Sequence, residues 1–228
     1  MAKNIFIVGG GKGGVGKSIV AMTLADYLLE KGEEVLLIES DTSNPDVAKA
    51  YRDRTATAIV NLDEADGWIE LVNLCEKHSN SAVVINTAAR NHDGVANYGM
   101  TLSSTLADLK RRAVALWLIN RQRDSLELLN KFLDALPNCE LHVVRNSFFG
   151  DEWKFELYNA SKAKATVEAR GGKTLTFPEL ADRVIDDLYI RRLTIESALK
   201  KLPLGNRAEL IRWRSEAHKM LREVVVDG

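Results

Sequence analysis

Cysteine is scarce: Cys75 and Cys139 are the two in a chain of 228 residues. They stand far apart with no C-x-x-C spacing, which argues against a disulfide framework or a zinc site and fits a reducing cytosol. Charge of a single sign is missing too. With 31 basic and 32 acidic residues the formal net charge is -1, so any nucleic-acid contact needs a local patch rather than a global polycation. No segment approaches the roughly 18 consecutive apolar residues that span a bilayer. The first residues form a strand pattern and a glycine-rich loop, where a signal peptide would need an apolar stretch and a cleavage site. Repeats, low-complexity tracts and long linkers are absent. These absences set the expectation of one soluble, cytoplasmic domain over 1–228, with enough chain to bury a substantial core.

What is present is alternation. Strand-like runs occur at Ile5–Val8, Val35–Ile38, Thr57–Leu62, Ala82–Ile85, Ala113–Ile119, Leu141–Val144 and Thr174–Phe177. Helical patterns fall between them at Ser18–Lys31, from Asn44-Pro45-Asp46, and at Asp66–His78, Leu102–Arg112, Leu126–Leu136 and Glu152–Ala169. Asp124-Ser125 looks like a cap for the helix that Pro137 ends. Pro178 opens another helix to about Leu188, and Ile195–Lys201 and Arg207–Val225 follow. The order predicts an α/β, three-layer fold: a mostly parallel, twisted sheet of about seven strands with helices on both faces. The helices of 194–228 are expected to pack on that domain.

The chemistry begins after the first strand, at Gly11-Lys12-Gly13-Gly14-Val15-Gly16-Lys17-Ser18-Ile19. This fits G-x-x-x-x-G-K-[ST], a P-loop between strand and helix. The glycines let backbone N–H groups turn inward around a phosphate, and the following helix presents its positive end to the same anion. The motif puts Lys17 on the β- and γ-phosphates and the Ser18 hydroxyl on Mg²⁺. ATP and Mg²⁺ are the expected cofactors. Ile38-Glu39-Ser40-Asp41 ends the second strand at the carboxyl edge, where α/β ligands bind. There Asp41 is placed to hold a Mg²⁺ water and orient the attacking water.

Lys12 adds a second cation to the loop. Lys-Gly-Gly-Val-Gly-Lys-Ser resembles the deviant Walker A box of the ParA/MinD family, which includes the nitrogenase iron protein and arsenite-pump ATPases. The resemblance implies that Lys12 reaches a partner's nucleotide across an ATP-dependent homodimer. It maps the second acid of the family's acid-x-acid pair onto Asp41, with Glu39 in the first position in place of the usual aspartate. It makes Asn146 the strand-end asparagine that pairs with the adenine edge, and Phe177-Pro178 a wall for the base. Where the family usually has a Walker B aspartate, this chain has Asn86. A neutral amide can align water but cannot offset Mg²⁺ charge, so Mg²⁺ depends on Ser18, Asp41 and, through water, Asn86, unless a nearby acid such as Asp93 substitutes. Nucleotide binding is expected and turnover is expected to be slow.

The resemblance implies an ATPase that positions cargo, in plasmid or DNA partition, stabilisation or conjugative mobilisation. Two readings stand beside it: a nucleotide-dependent binding module with negligible turnover, and an ATP-dependent metabolic ligase of the same fold, such as dethiobiotin synthetase. Lys110-Arg111-Arg112, Lys162/Lys164 and Arg191-Arg192 are either contacts to non-specific DNA or solubilising charge. A protein partner or cargo adaptor is expected. A membrane is not, because acids interleave with the bases of the last helix.

Overall fold

Continuous aliphatic runs, rather than alternating ones, mark strands covered on both faces. The computed structural model, which describes residues 3–225, shows seven strands, the two at the edges of the sheet less covered than the rest. They are β1 (Ile5–Gly10), β2 (Val35–Glu39), β3 (Ala56–Ile59), β4 (Ala82–Asn86), β5 (Ala113–Ile119), β6 (Cys139–Asn146) and β7 (Thr174–Phe177). The sheet order is β3-β2-β4-β1-β5-β6-β7, and every pairing is parallel. Residues 1–2 and 226–228 of the expected 1–228 span lie outside the described residues.

Side-chain alternation along each strand feeds two cores. Phe6, Val8, Leu37, Val84, Leu116 and Val144 face α1 (Lys17–Glu30) and the C-terminal helices. Ile5, Ile7, Ile38, Ile85, Trp117 and Val143 face the other way. That second face is covered by α3 (Ala65–Lys77), α4 (His92–Thr105), α5 (Arg123–Ala135) and α7 (Lys162–Ala169). The short α2 (Asp46–Tyr51) and α6 (Glu156–Asn159) complete the crossovers, and α8 (Asp182–Ile190), α9 (Ile195–Lys201) and α10 (Leu204–Leu221) end the chain.

The expected stripe on the last helix is buried: Leu210, Trp213, Ala217, Met220, Leu221 and Val224 all pack inward. Two of its basic residues turn inward as well. Arg214 reaches Asp26 at 2.6 Å and Glu30 at 2.7 Å, and the His218 ring nitrogens lie 2.9 Å from Asp26 and 3.0 Å from Glu30. Asp26 is itself buried, so these bonds satisfy a charge that would otherwise be stranded between α1 and α10. Among the described residues no helix is long and apolar enough to cross a membrane.

Several boundaries differ from the sequence expectations: Pro178 does not open a helix, since α8 starts at Asp182, and the last helix is Leu204–Leu221 rather than Arg207–Val225. Glu152–Ala169 is not one helix: a 3₁₀ turn, α6 and α7 share it, and Ser161 caps α7 by accepting from Lys164 N–H at 3.1 Å. The helix expected at Leu102–Arg112 begins ten residues earlier, at His92, and ends at Thr105. Asp124-Ser125 is no cap. Helix α5 starts at Arg123, Ser125 donates to Asn120 Oδ1 at 2.7 Å, and Asp124 pairs with Lys12.

The basic cluster at Lys110–Arg112 is also less available than its sequence suggests. Arg111 is buried and donates to the carbonyls of Lys3, Cys75 and Ser81, stitching the amino end of the sheet together. Arg112 is paired with Glu140.

Trp213 ties the C-terminal helices to the sheet edge. It is fully buried, packs edge-on to Phe177 at 5.6 Å, and its indole N–H donates to Pro178 O at 2.9 Å. Trp213→Ala is expected to lower stability by about 3–5 kcal/mol. Trp213→Phe, which removes chiefly the hydrogen bond, should cost about 1 kcal/mol. Urea midpoints at constant m-value check both, and equal losses would refute the division.

Candidate nucleotide site

The loop between β1 and α1 supports its sequence reading with backbone geometry. Gly14 and Gly16 have φ of 75° and 101°, the left-handed region in which a side chain is strained. A Cβ on Gly16 would also come within 2.5 Å of Asn146 Nδ2. Among the described residues no side chain caps α1, and its first turn holds no acid. The positive end of this helix is therefore open to an anion.

A cavity of about 540 Å³ faces that helix end. Its lining includes Gly13, Gly14, Gly16, Lys17 and Ser18 of the glycine loop, Asp41 and Asn86 from the ends of β2 and β4, and Phe177, Pro178, Leu180, Ile185, Tyr189 and Trp213 from β7 onward. The sheet order sets the glycine loop after β1 between the strand ends that carry Asp41 and Asn86 on one side and β7 on the other.

Lys17 is buried, and its Nζ donates to Lys12 O at 2.8 Å. Burial pushes the ammonium down to about 8, while Asp41 and Glu39 pull it back up. Asp41 lines the cavity, but its Oδ1 accepts from Ser43 Oγ at 2.6 Å and from Ser43 and Asn44 N–H, both at 3.2 Å. The Ser43 hydroxyl foremost holds this carboxyl below its ordinary range.

Asn86 is buried at the end of β4. Its Nδ2 donates to both Glu39 oxygens at 3.0 Å and lies 3.4 Å from Ser18 Oγ. Burial pushes Glu39 up to about 7, against the Asn86 hydrogen bond. A dication in front of it would draw it back to the carboxylate. Asp93 does not substitute for a missing acid: it sits exposed in the first turn of α4, 3.5 Å from His92. The acid beside Asn86 is Glu39.

The remaining expected residues divide by position. Val15 is buried behind the loop, and its carbonyl accepts from Asn146 Nδ2 at 3.0 Å, while Asn146 Oδ1 accepts from Phe148 N–H at 3.1 Å. Asn146 therefore anchors the loop to β6. One amide hydrogen and one lone pair remain for a base. Ile19, Phe177 and Pro178 line the cavity. Gly11 passes against Leu128 of α5, outside the lining. Lys12 also stands outside it, half-exposed, with its Nζ 2.6 Å from Asp124 and 3.3 Å from Gln122 Oε1.

Sequence reasoning missed Arg90, whose guanidinium reaches Asp63 at 2.7 Å, Thr42 Oγ1 at 3.1 Å and Ser43 Oγ at 3.3 Å. It also missed Tyr189 and Ile185 at the base end. Nothing in their spacing marks them, because they reach the cavity through the fold of α8.

The CobQ/CobB/MinD/ParA nucleotide binding domain model matches residues 6–150. The chain belongs to this CobQ/CobB/MinD/ParA family. Protein MobD of Acidithiobacillus ferrooxidans is 64% identical over 225 residues, 99% of each chain. Protein TraL of Escherichia coli is 27% identical over 216 residues, 87% of this chain and 88% of that one. The MinD cell division protein of Aquifex aeolicus shares the fold, with a TM-score of 0.57, 15% identity and 98% of each chain covered. As in the family's nucleotide-binding domain, the residues present suit a nucleotide with Mg²⁺: an uncapped helix end, a buried lysine, the Ser18 hydroxyl and the Glu39–Asn86 pair.

The Lys17 shift has a consequence for affinity. Phosphate favours the charged ammonium, so binding above about pH 8 requires uptake of a proton. ATP affinity is expected to be level below pH 8 and to fall toward about tenfold per pH unit above it. Fluorescence titrations from about pH 7 to about pH 10 measure this; a flat profile would show that Lys17 is not the phosphate ligand.

Proposed function

We propose that the chain is a slow ATPase whose ATP-bound form pairs with a second copy and acts as a switch in plasmid or DNA partition, stabilisation or conjugative mobilisation. The observation that carries the nucleotide part is the open, acid-free end of α1 with Lys17 and Ser18 at the head of the cavity. Lys17 neutralises the β- and γ-phosphates, and the backbone of Gly13–Gly16 cradles them. Asn146 and Pro178 border the base. Ser18, Asp41 and Asn86 are the residues that would hold Mg²⁺, directly or through water. Bound there, the ion would neutralise phosphate charge as the terminal phosphoryl group leaves. Asp41 orients the attacking water once it leaves its own turn. That rearrangement, with a neutral Asn86 at the metal, accounts for slow turnover.

The pairing step rests on Lys12. Its ammonium is turned from its own cavity onto Asp124, at the surface. An exposed ion pair of this kind is worth less than about 1 kcal/mol and is readily exchanged for a partner's phosphate. The cargo step draws on the relatives MobD and TraL and on a plasmid partition protein from Borrelia burgdorferi that shares the fold, with a TM-score of 0.52 and 17% identity over 89% of this chain. A protein adaptor is one link to cargo. Of the clustered bases Arg111 is buried and closed to a phosphate backbone, whereas Arg112, Arg191 and Lys164 hold exposed pairs with Glu140, Asp187 and Glu168. Non-specific DNA binding, with its steep salt dependence, is the other outcome. Asn86 also favours a second reading, a binding module with negligible turnover.

Lys17→Ala is expected to abolish measurable ATP affinity. Lys12→Ala should bind ATP as a monomer but fail to pair. Light scattering with ATP and Mg²⁺ decides: an undiminished dimer in Lys12→Ala removes the cross-interface role, and no dimer in the wild type removes the switch.

A further inference from the structure

Asn86 presents an anomaly at the centre of the cavity. Its side chain is buried, and its Nδ2 is turned toward Glu39 and Ser18, yet its Oδ1 is buried with no hydrogen-bond partner among the described residues. While Glu39 is ionised, as a dication in front of it would keep it, the amide cannot be reversed: both carboxylate oxygens then accept only, so the nitrogen faces them and the oxygen faces away. A buried carbonyl oxygen without a donor is costly, and a place for a water or an ion is one of the few reasons for such an atom. Glu39 is equally committed. It is fully buried at the end of β2, and its Oε1 also accepts from Asp41 N–H at 3.2 Å. The two side chains share one negative charge between adjacent strands, in register at Glu39↔Asn86.

We propose that Asn86 Oδ1 accepts from a water in the Mg²⁺ shell and that Glu39 is the positioning residue that fixes this amide and supplies the negative charge Asn86 lacks. The carboxylate of the metal site then stands on β2, one side chain behind the cavity, and acts through the amide on β4. This rests on the cavity's being the site of ATP with Mg²⁺. It also explains why an acid at position 86 does not suit this chain. Two carboxylates would then abut in a buried place, and one of them would have to take up a proton.

The reciprocal exchange separates this from a merely structural hydrogen bond. Glu39→Gln keeps the side-chain length and removes the charge. Asn86→Asp alone crowds two acids. Glu39→Gln combined with Asn86→Asp restores one charge and one hydrogen bond, with donor and acceptor reversed. For each, ATP affinity is measured in EDTA and in Mg²⁺, and Mn²⁺ binding to the ATP complex is followed by its paramagnetic resonance. Thermal unfolding in EDTA reports folding.

Glu39→Gln is expected to lose about 10–100-fold in Mn²⁺ affinity, as loss of a partner behind a ligand does elsewhere, and its loss of ATP affinity in EDTA, through the charge that Glu39 lends to Lys17, is expected to be much the smaller of the two. Asn86→Asp should gain nothing, and the double variant should return to within about twofold of the wild type. Asn86→Ala, which removes Oδ1 itself, provides an arm independent of Glu39 and should show the same Mn²⁺ loss. Unchanged Mn²⁺ affinity in Glu39→Gln, equal losses with and without metal, or additive losses in the double variant would each overturn the assignment. Wild type that binds no ATP in either condition would overturn the nucleotide reading and this inference with it.

Discussion

A cation buried at the head of α1 constrains everything around it. Lys17 loses most of its hydration there, and such a charge persists only where acceptors and counter-charges converge. Lys12 O, Asp41 and Glu39 are those groups, and they come from two segments, the glycine loop and the end of β2. Helix α1 itself repels the cation with its positive end. The arrangement makes sense as a receptor for polyvalent anion: phosphate relieves both the lysine and the helix end, and among the described residues no side chain caps that end in its place. The glycine loop serves the same end, since its left-handed residues leave no Cβ between the backbone and the cavity.

The distant half of the molecule holds that arrangement still. Asn146 fixes the loop carbonyl of Val15 from β6, while Trp213 fixes the base-side loop at Pro178 from α10. Helix α10 is in turn anchored to α1 through Arg214, His218, Asp26 and Glu30. The helix that bears Lys17 and the helix that steadies the base wall are thus clamped together along a buried ion network. Basic residues of the last helix that pattern alone assigns to a solvated stripe are drawn inward by an acid 188 positions away in sequence at Arg214.

Much of this was legible in the chain. The seven strands could be read because each is a short aliphatic run bounded by turns, and the glycine loop could be read because its chemistry depends on residue type and spacing alone. The start of α4 was hidden for a physical reason. Gly94 and Gly99 weaken the helical pattern, yet they are needed there: a Cβ on Gly94 would strike Leu62 O at 1.9 Å. Ser161 was legible in principle as a cap within a helix-compatible stretch. Glu39 looked like one member of a surface pair, since sequence gives residue type but not burial. Its partnership with Asn86 exists only because parallel register sets the two strand ends side by side. Arg111 shows the same limit from the other side, a basic residue whose guanidinium donates to the backbone carbonyls of Lys3, Cys75, His78 and Ser81 rather than to a ligand.

The loops after β2 and β4 each have a buried inner part and an exposed outer part, and the two parts are held by bonds of different strength. Close to the sheet, the Ser40 hydroxyl and Asn91 Oδ1 both receive Ala88 N–H, at 2.8 and 2.7 Å, in a buried setting. Buried bonds of this kind are expensive to leave unmade, so this inner seam moves little. Farther out, Arg90 spans Asp41, Asp63, Thr42 and Ser43 from an exposed position. Exposed charge pairs are individually worth at most about 1 kcal/mol and are weakened by salt. A group that attracts Asp41 or Arg90 from within the cavity therefore competes with weak outer bonds while the inner seam holds the strand ends in place. The soft segment and the rigid one meet at Asp41, the residue that the proposed function requires to exchange its Ser43 and Asn44 partners for a water.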